Sequence, residues 1–157
     1  MGREQSKQRE RGVLAVTLVA VFMAAGCSPK KHELKGGIPW LYNLDEGFAQ
    51  AKVEGKPLMV DFMATWCPPC KAMEDSTFSH PEVIRKAAQF VAVRIDVDKQ
   101  GEVANKYNAN ARKYNGVGIP NVLFMTAEGE KLLHPIGYRS PVAFLAVMDS
   151  ALAMCRR

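Results

Sequence analysis

Four stretches of the chain carry apolar residues in patterns that local geometry can use. Leu58-Met59-Val60-Asp61-Phe62-Met63 is an almost unbroken apolar run, as expected of a strand covered on both faces. Phe90 to Val97 (FVAVRIDV) is rich in β-branched residues and predicts a second strand. Asn121 to Met125 and Lys131 to Ile136 predict two more, joined by Ala127-Glu128-Gly129-Glu130 as a hairpin-like turn. Trp40 to Tyr42 reads as a short edge strand.

Between these strands the period lengthens. Asp45 reads as the N-cap of a helix to about Val53, closed by Gly55-Lys56-Pro57. Helices are predicted from about Pro68 to Ser76, and from Pro81 with Val83, Ile84 and Ala87 as the buried stripe. Another spans 101–114, of modest quality because Asn105, Asn108 and Asn110 are poor helix formers. Ser140-Pro141 opens the last, with Phe144, Leu145, Val147, Met148 and Leu152 on its apolar face. The resulting order β-α-β-α-β-α-β-β-α describes an α/β sandwich of three layers with a mixed sheet.

The N-terminal pattern is of another kind. A basic segment with Arg3, Lys7, Arg9 and Arg11 precedes an uncharged run from Val13 to Ala25, then Gly26, Cys27 and a polar stretch. Such an order describes a secretory signal peptide, and the run is shorter than the ~20 residues of a spanning helix. The Ala24-Ala25-Gly26-Cys27 junction resembles a bacterial lipoprotein box, with Ala where Leu is commoner. That resemblance implies removal of residues 1–26, acylation of Cys27, and a lipid-anchored protein of the cell envelope. The alternative is an ordinary signal peptide with Cys27 a bystander thiol. Residues 28–38, with Pro29, Gly36 and Gly37, read as a tether reaching about 40 Å at most. Residues 39–157 remain for one domain.

Charge matters only after this division. The 157 residues hold 21 Lys+Arg and 16 Asp+Glu, a net +5. Without residues 1–26 the counts fall to 17 and 14, so the excess is mild and gives no reason to expect a nucleic-acid partner.

The chemistry lies in Trp66-Cys67-Pro68-Pro69-Cys70-Lys71, at a strand-to-helix junction. A CxxC serves zinc or dithiol redox chemistry. Zinc would require further ligands, yet His32, His80 and His134 are scattered and Cys155 stands alone. A purely structural disulfide across so short a loop would restrict the unfolded chain little. At a helix start, by contrast, unpaired N–H groups would stabilise a Cys67 thiolate, and Cys70 lies one turn on.

Val60-Asp61-Phe62, the WCPPCK segment, Gly118-Ile119-Pro120, Glu128-Gly129 and Gly137 together resemble the thioredoxin superfamily, from about Ile38 to Leu152. Lys56 to Phe62 and Thr77 to Val83 look most like the C-terminal domain of membrane thiol:disulfide interchange reductases. The WCPPC segment is commoner in anchored reductases of cytochrome c maturation. The resemblance implies Cys67 as exposed nucleophile, Cys70 as buried resolving thiol, and Asp61 as a buried acid moving protons to and from Cys70. It implies a cis Ile119–Pro120 peptide whose main chain pairs with an extended substrate. Trp66 reads as a shield for the sulfurs and a substrate contact, or equally as a packing aromatic at the helix start. Arg94 lies near the place of a lysine that accompanies the family's acid, and no role is assigned to it.

No cofactor beyond the cysteine pair is implied, and no metal. The implied partners are exported cysteine-containing proteins, with a membrane thiol reductase as electron donor. Strong oxidants of the superfamily usually carry His between the cysteines; Pro68-Pro69 therefore points to a reductase. Rival readings are a client-binding, chaperone-like module without turnover and, less well suited to this pair, a peroxidase.

Overall fold

The computed structural model describes residues 37–156. The proposed signal peptide, Cys27 and most of the tether lie outside them. Strands β1 (Leu58–Met63), β2 (Val91–Asp96), β3 (Asn121–Met125) and β4 (Lys131–Leu133) form one sheet in the order β2-β1-β3-β4. The β1–β2 pair is parallel and the other two are antiparallel. Helices α1 (Leu44–Glu54) and α4 (Gly101–Lys106) accompany one face, and α2 (Pro68–Met73), α3 (Pro81–Ala87) and α5 (Pro141–Cys155) the other. The expected three-layer α/β architecture with a mixed sheet is therefore observed.

The period of two along β1 decides which side chains enter which layer. Leu58, Val60 and Phe62 join the core that includes Ala51 of α1 and Ala104 of α4. Met59 joins the opposite core with Phe124, Phe144 and Met148. Asp61 belongs to this second face by the same alternation, so a carboxylate takes a position where its neighbours are apolar. Four methionines, Met59, Met73, Met125 and Met148, are fully buried and fill space in the two cores. Close approach sets one further position: a methyl group on Gly47 would stand 2.4 Å from Val93 Cγ2, so α1 can lie this near β2 only with glycine there.

Local chemistry explains where the expected elements were misplaced. The cap of α1 is Asn43, whose side-chain oxygen accepts from the Asp45 and Glu46 N–H groups at 2.9 and 3.1 Å; Asp45 is already helical. A side-chain cap of this kind contributes about 1 kcal/mol. Trp40–Tyr42 forms no strand; only Leu41 bridges to Val93. The helix expected over 101–114 ends at Lys106 because Asn108 turns left-handed at φ 52°, and a 3₁₀ turn follows at Arg112–Tyr114. Strand β4 stops at Leu133, leaving Ile136 a lone bridge to Asn121. Beyond α2, Glu74–Phe78 widens into a π-helical turn.

Candidate active site

Cys67 is the N-cap of α2 and Pro68 its first helical residue, where the missing N–H costs nothing. Cys67 Sγ accepts the Cys70 N–H at 3.2 Å, so a main-chain donor at the helix start points at the sulfur. The same donor would stabilise a thiolate there. The two cysteines are joined as a disulfide with Cα atoms 5.2 Å apart. The expected contrast between an exposed Cys67 and a buried Cys70 is not seen. Cys67 is 3% and Cys70 6% exposed in this oxidised form; Trp66, Ala111, Arg112, Lys113, Gly118 and Ile119 border Cys67, while Cys70 faces the cavity lined by Asp61 and Arg94.

Two cavities flank the disulfide and share no lining residue. A groove of about 240 Å³ runs beside Cys67, between Trp66 and the Gly118–Ile119 segment. The Ile119–Pro120 peptide is cis. The Ile119 N–H and C=O have no hydrogen-bond partner among the described residues, whereas the Gly118 and Pro120 carbonyls are both taken. Asn121 holds this loop from behind: its amide donates to the Gly118 and Ala109 carbonyls at 2.7 and 2.8 Å. Its oxygen meets His134 Nε2 at 2.8 Å, and burial, with Lys131 nearby, pushes that imidazole below its usual range.

The second cavity, about 230 Å³, lies behind the disulfide and is lined by Asp61, Cys70, Glu74 and Arg94 among others. Asp61 is 2% exposed. Its Oδ2 accepts from Arg94 Nε at 3.0 Å, while Oδ1 is buried without a partner. Burial pushes the carboxyl up to about 6, against the opposing pull of the Arg94 guanidinium and with a small push from Glu74. Asp61 thus lies inside the fold and does not face solvent at a strand end. Arg94, assigned no role from the sequence, is placed by register: it stands opposite Asp61 across the parallel β1–β2 pair. It also pairs with Glu74, and its guanidinium lies 4.2 Å from the centre of the Trp40 ring.

Trp66 is 46% exposed but not free. Its indole N–H donates to Asp98 Oδ2 at 2.5 Å, and the Tyr114 hydroxyl donates to Oδ1 at 2.5 Å. Lys113 Nζ stands 3.7 Å from the Trp66 ring centre. The Tyr114 hydroxyl first, then the indole and Lys113, hold the Asp98 carboxyl below the usual carboxylate range. Sequence reading missed this cluster because its members come from three separate segments. In a Trp40→Phe background, Asp98→Ala is expected to lower Trp66 fluorescence anisotropy and raise its quenching by acrylamide. An unchanged signal would mean that the ring is held by packing alone.

Lys71 pairs with Asp75 on the surface at 3.0 Å, and Cys155 is an exposed free thiol on α5. No group of three His, Cys, Asp or Glu among the described residues could hold a metal ion.

A mixed sheet with a helix-capping disulfide, a cis-proline loop opposite it and a buried acid behind it defines a dithiol exchange protein of the thioredoxin fold. The family described as thioredoxin-like matches residues 39–127, and the chain belongs to it. Among its relatives, the thiol:disulfide interchange protein DsbD of Cronobacter sakazakii is 35% identical over 112 residues, 71% of this chain and 19% of that one. The Klebsiella pneumoniae DsbD is 38% identical over 110 residues, 70% of this chain and 18% of that one. The chain thus spans about a fifth of these relatives. A thioredoxin from Thermus thermophilus superposes with a TM-score of 0.61 at 28% identity, over 74% of this chain and 88% of that one. The reduced C-terminal domain of Neisseria meningitidis DsbD gives 0.56 at 25%, over 69% and 93%. The fold, the CxxC pair and this kinship make the domain a thioredoxin-like thiol:disulfide oxidoreductase.

Proposed function

We propose that the chain is a membrane-anchored oxidoreductase that reduces or exchanges disulfides in exported proteins. One observation carries the reading: the Cys67–Cys70 pair sits between a groove with unpaired main-chain groups at Ile119 and a cavity holding a partly orphaned Asp61.

In the reduced protein the Cys67 thiolate attacks a client disulfide. A Cys67–client bond forms, and the client's other sulfur leaves as a thiolate that takes up a proton. The client's extended segment pairs with Ile119, adding main-chain hydrogen bonds beside the cis-Pro120 loop, with Trp66 as its side wall. Cys70, its proton passed to Asp61, attacks Cys67, releases the second client thiol and regenerates the disulfide. A membrane dithiol reductase restores the pair, since an oxidising compartment does not. The intervening Pro68-Pro69 supports the reducing direction, and the lipoprotein-like Ala24-Ala25-Gly26-Cys27 segment supports anchoring through Cys27 in the cell envelope.

A Cys70→Ala variant tests the whole reading, because it leaves the first attack intact and blocks resolution. Expressed full-length, it is expected to accumulate reductant-sensitive adducts with exported cysteine-containing proteins in the membrane fraction, and to carry acyl chains on Cys27. Clients that come away without reductant would favour a binding module without turnover. A mature chain free of lipid would remove the anchor.

A further inference from the structure

The next inference rests on the exchange reading above and concerns which disulfides the site accepts. The groove beside Cys67 has an apolar floor formed by Trp66, Pro68, Pro69 and Ile119, and two cations, Arg112 and Lys113, on its wall. No carboxylate lines it. Lys113 is already committed, 3.6 Å from Asp98 Oδ1 and against the Trp66 and Tyr114 rings. Arg112 is exposed, and among the described residues its side chain makes no salt bridge or hydrogen bond.

Its position is nevertheless defined. A methyl group on Gly118 would stand 3.3 Å from Arg112 Cγ and from its Nε, so the side chain lies along the residue that precedes Ile119. Any segment paired with the free main-chain groups of Ile119, with its sulfur at Cys67, runs beside this guanidinium.

We propose that Arg112 is a specificity-determining residue that favours clients carrying a carboxylate within about one to three residues of the attacked cysteine. An extended segment advances about 3.3 Å per residue, so a side chain at that spacing reaches the groove wall. The guanidinium fork matches a carboxylate with two parallel hydrogen bonds, and because Arg112 is exposed its longer-range attraction is screened by salt. A client with lysine at that position meets the unpaired Arg112 with like charge, whereas the charge of Lys113 is offset by Asp98.

Two disulfide peptides test this, identical except for Glu or Lys two residues from the attacked cysteine. Their reduction by the full-length protein is compared as kcat/KM at low and at physiological salt. The Glu peptide is expected to be favoured about 3-fold to 10-fold at low salt, with the ratio shrinking as salt rises. Arg112→Gln is expected to bring the ratio close to unity, and Arg112→Glu to reverse it. Equal rates with the native protein, or a preference that survives Arg112→Gln, would overturn the assignment and leave disulfide exchange standing. Reduction of neither peptide would instead overturn the exchange reading, and the assignment with it.

Discussion

Cys67→Ser is expected to abolish disulfide reduction, lowering the rate of insulin-disulfide cleavage on the order of 10³-fold or more, the scale on which loss of a nucleophile is felt. A serine hydroxyl can still take the Cys70 N–H that Cys67 Sγ now accepts at 3.2 Å, so the start of α2 is preserved. What disappears is the ionisable sulfur that makes the first bond to the client. The circular dichroism spectrum is therefore expected to stay unchanged while turnover is lost. A variant that kept its rate would place the attacking thiol elsewhere. Among the described residues that leaves Cys70, or Cys155 exposed on the last helix.

The second large effect is expected at Asp61. In the oxidised protein its carboxyl titrates at about 6, raised by burial, against about 4 in an unfolded chain. The folded state thus holds the proton more tightly. The stabilisation this gives is complete below pH 4 and is lost as pH rises through 6. Above that, a buried carboxylate costs roughly 3 kcal/mol, two pKa units at 1.36 kcal/mol each. Asp61→Asn removes the cost but also removes the anion facing Arg94, so a net gain of about 1–3 kcal/mol is expected at pH 8 and almost none at pH 4. Urea unfolding at both pH values measures it. The same variant is expected to reduce insulin roughly 10-fold to 100-fold more slowly at neutral pH, because it removes the proposed proton carrier from the cavity it shares with Cys70. A stability difference that does not vary with pH would mean that Asp61 titrates like a surface aspartate.

The residues proposed for the chemistry were legible in the sequence as the motifs that carry the family resemblance. The CxxC lies at a break between a strand and a helix, Pro120 follows Gly118 just before a strand, and Asp61 interrupts an apolar run. The residues that tune them were not. Arg94 faces Asp61 only because β1 and β2 align in parallel with Asp61 opposite it, a register that neither strand specifies by itself. Asp98 meets Trp66 and Tyr114 only once three segments converge. The asparagine-rich stretch after residue 101 was legible as a weak helix but not as a short helix, a left-handed Asn108 and a 3₁₀ turn. That irregular path is what brings Arg112 alongside Gly118.

The separation of the two cavities around the disulfide has a consequence for traffic through the site. The groove at Cys67 and the space by Asp61 and Cys70 have no lining residue in common, so a client confined to the groove would leave the second cavity uncovered. In the proposed exchange, sulfur bonds would change hands at one door while protons pass through another, so a docked polypeptide would not have to depart before the acid behind it exchanges with water.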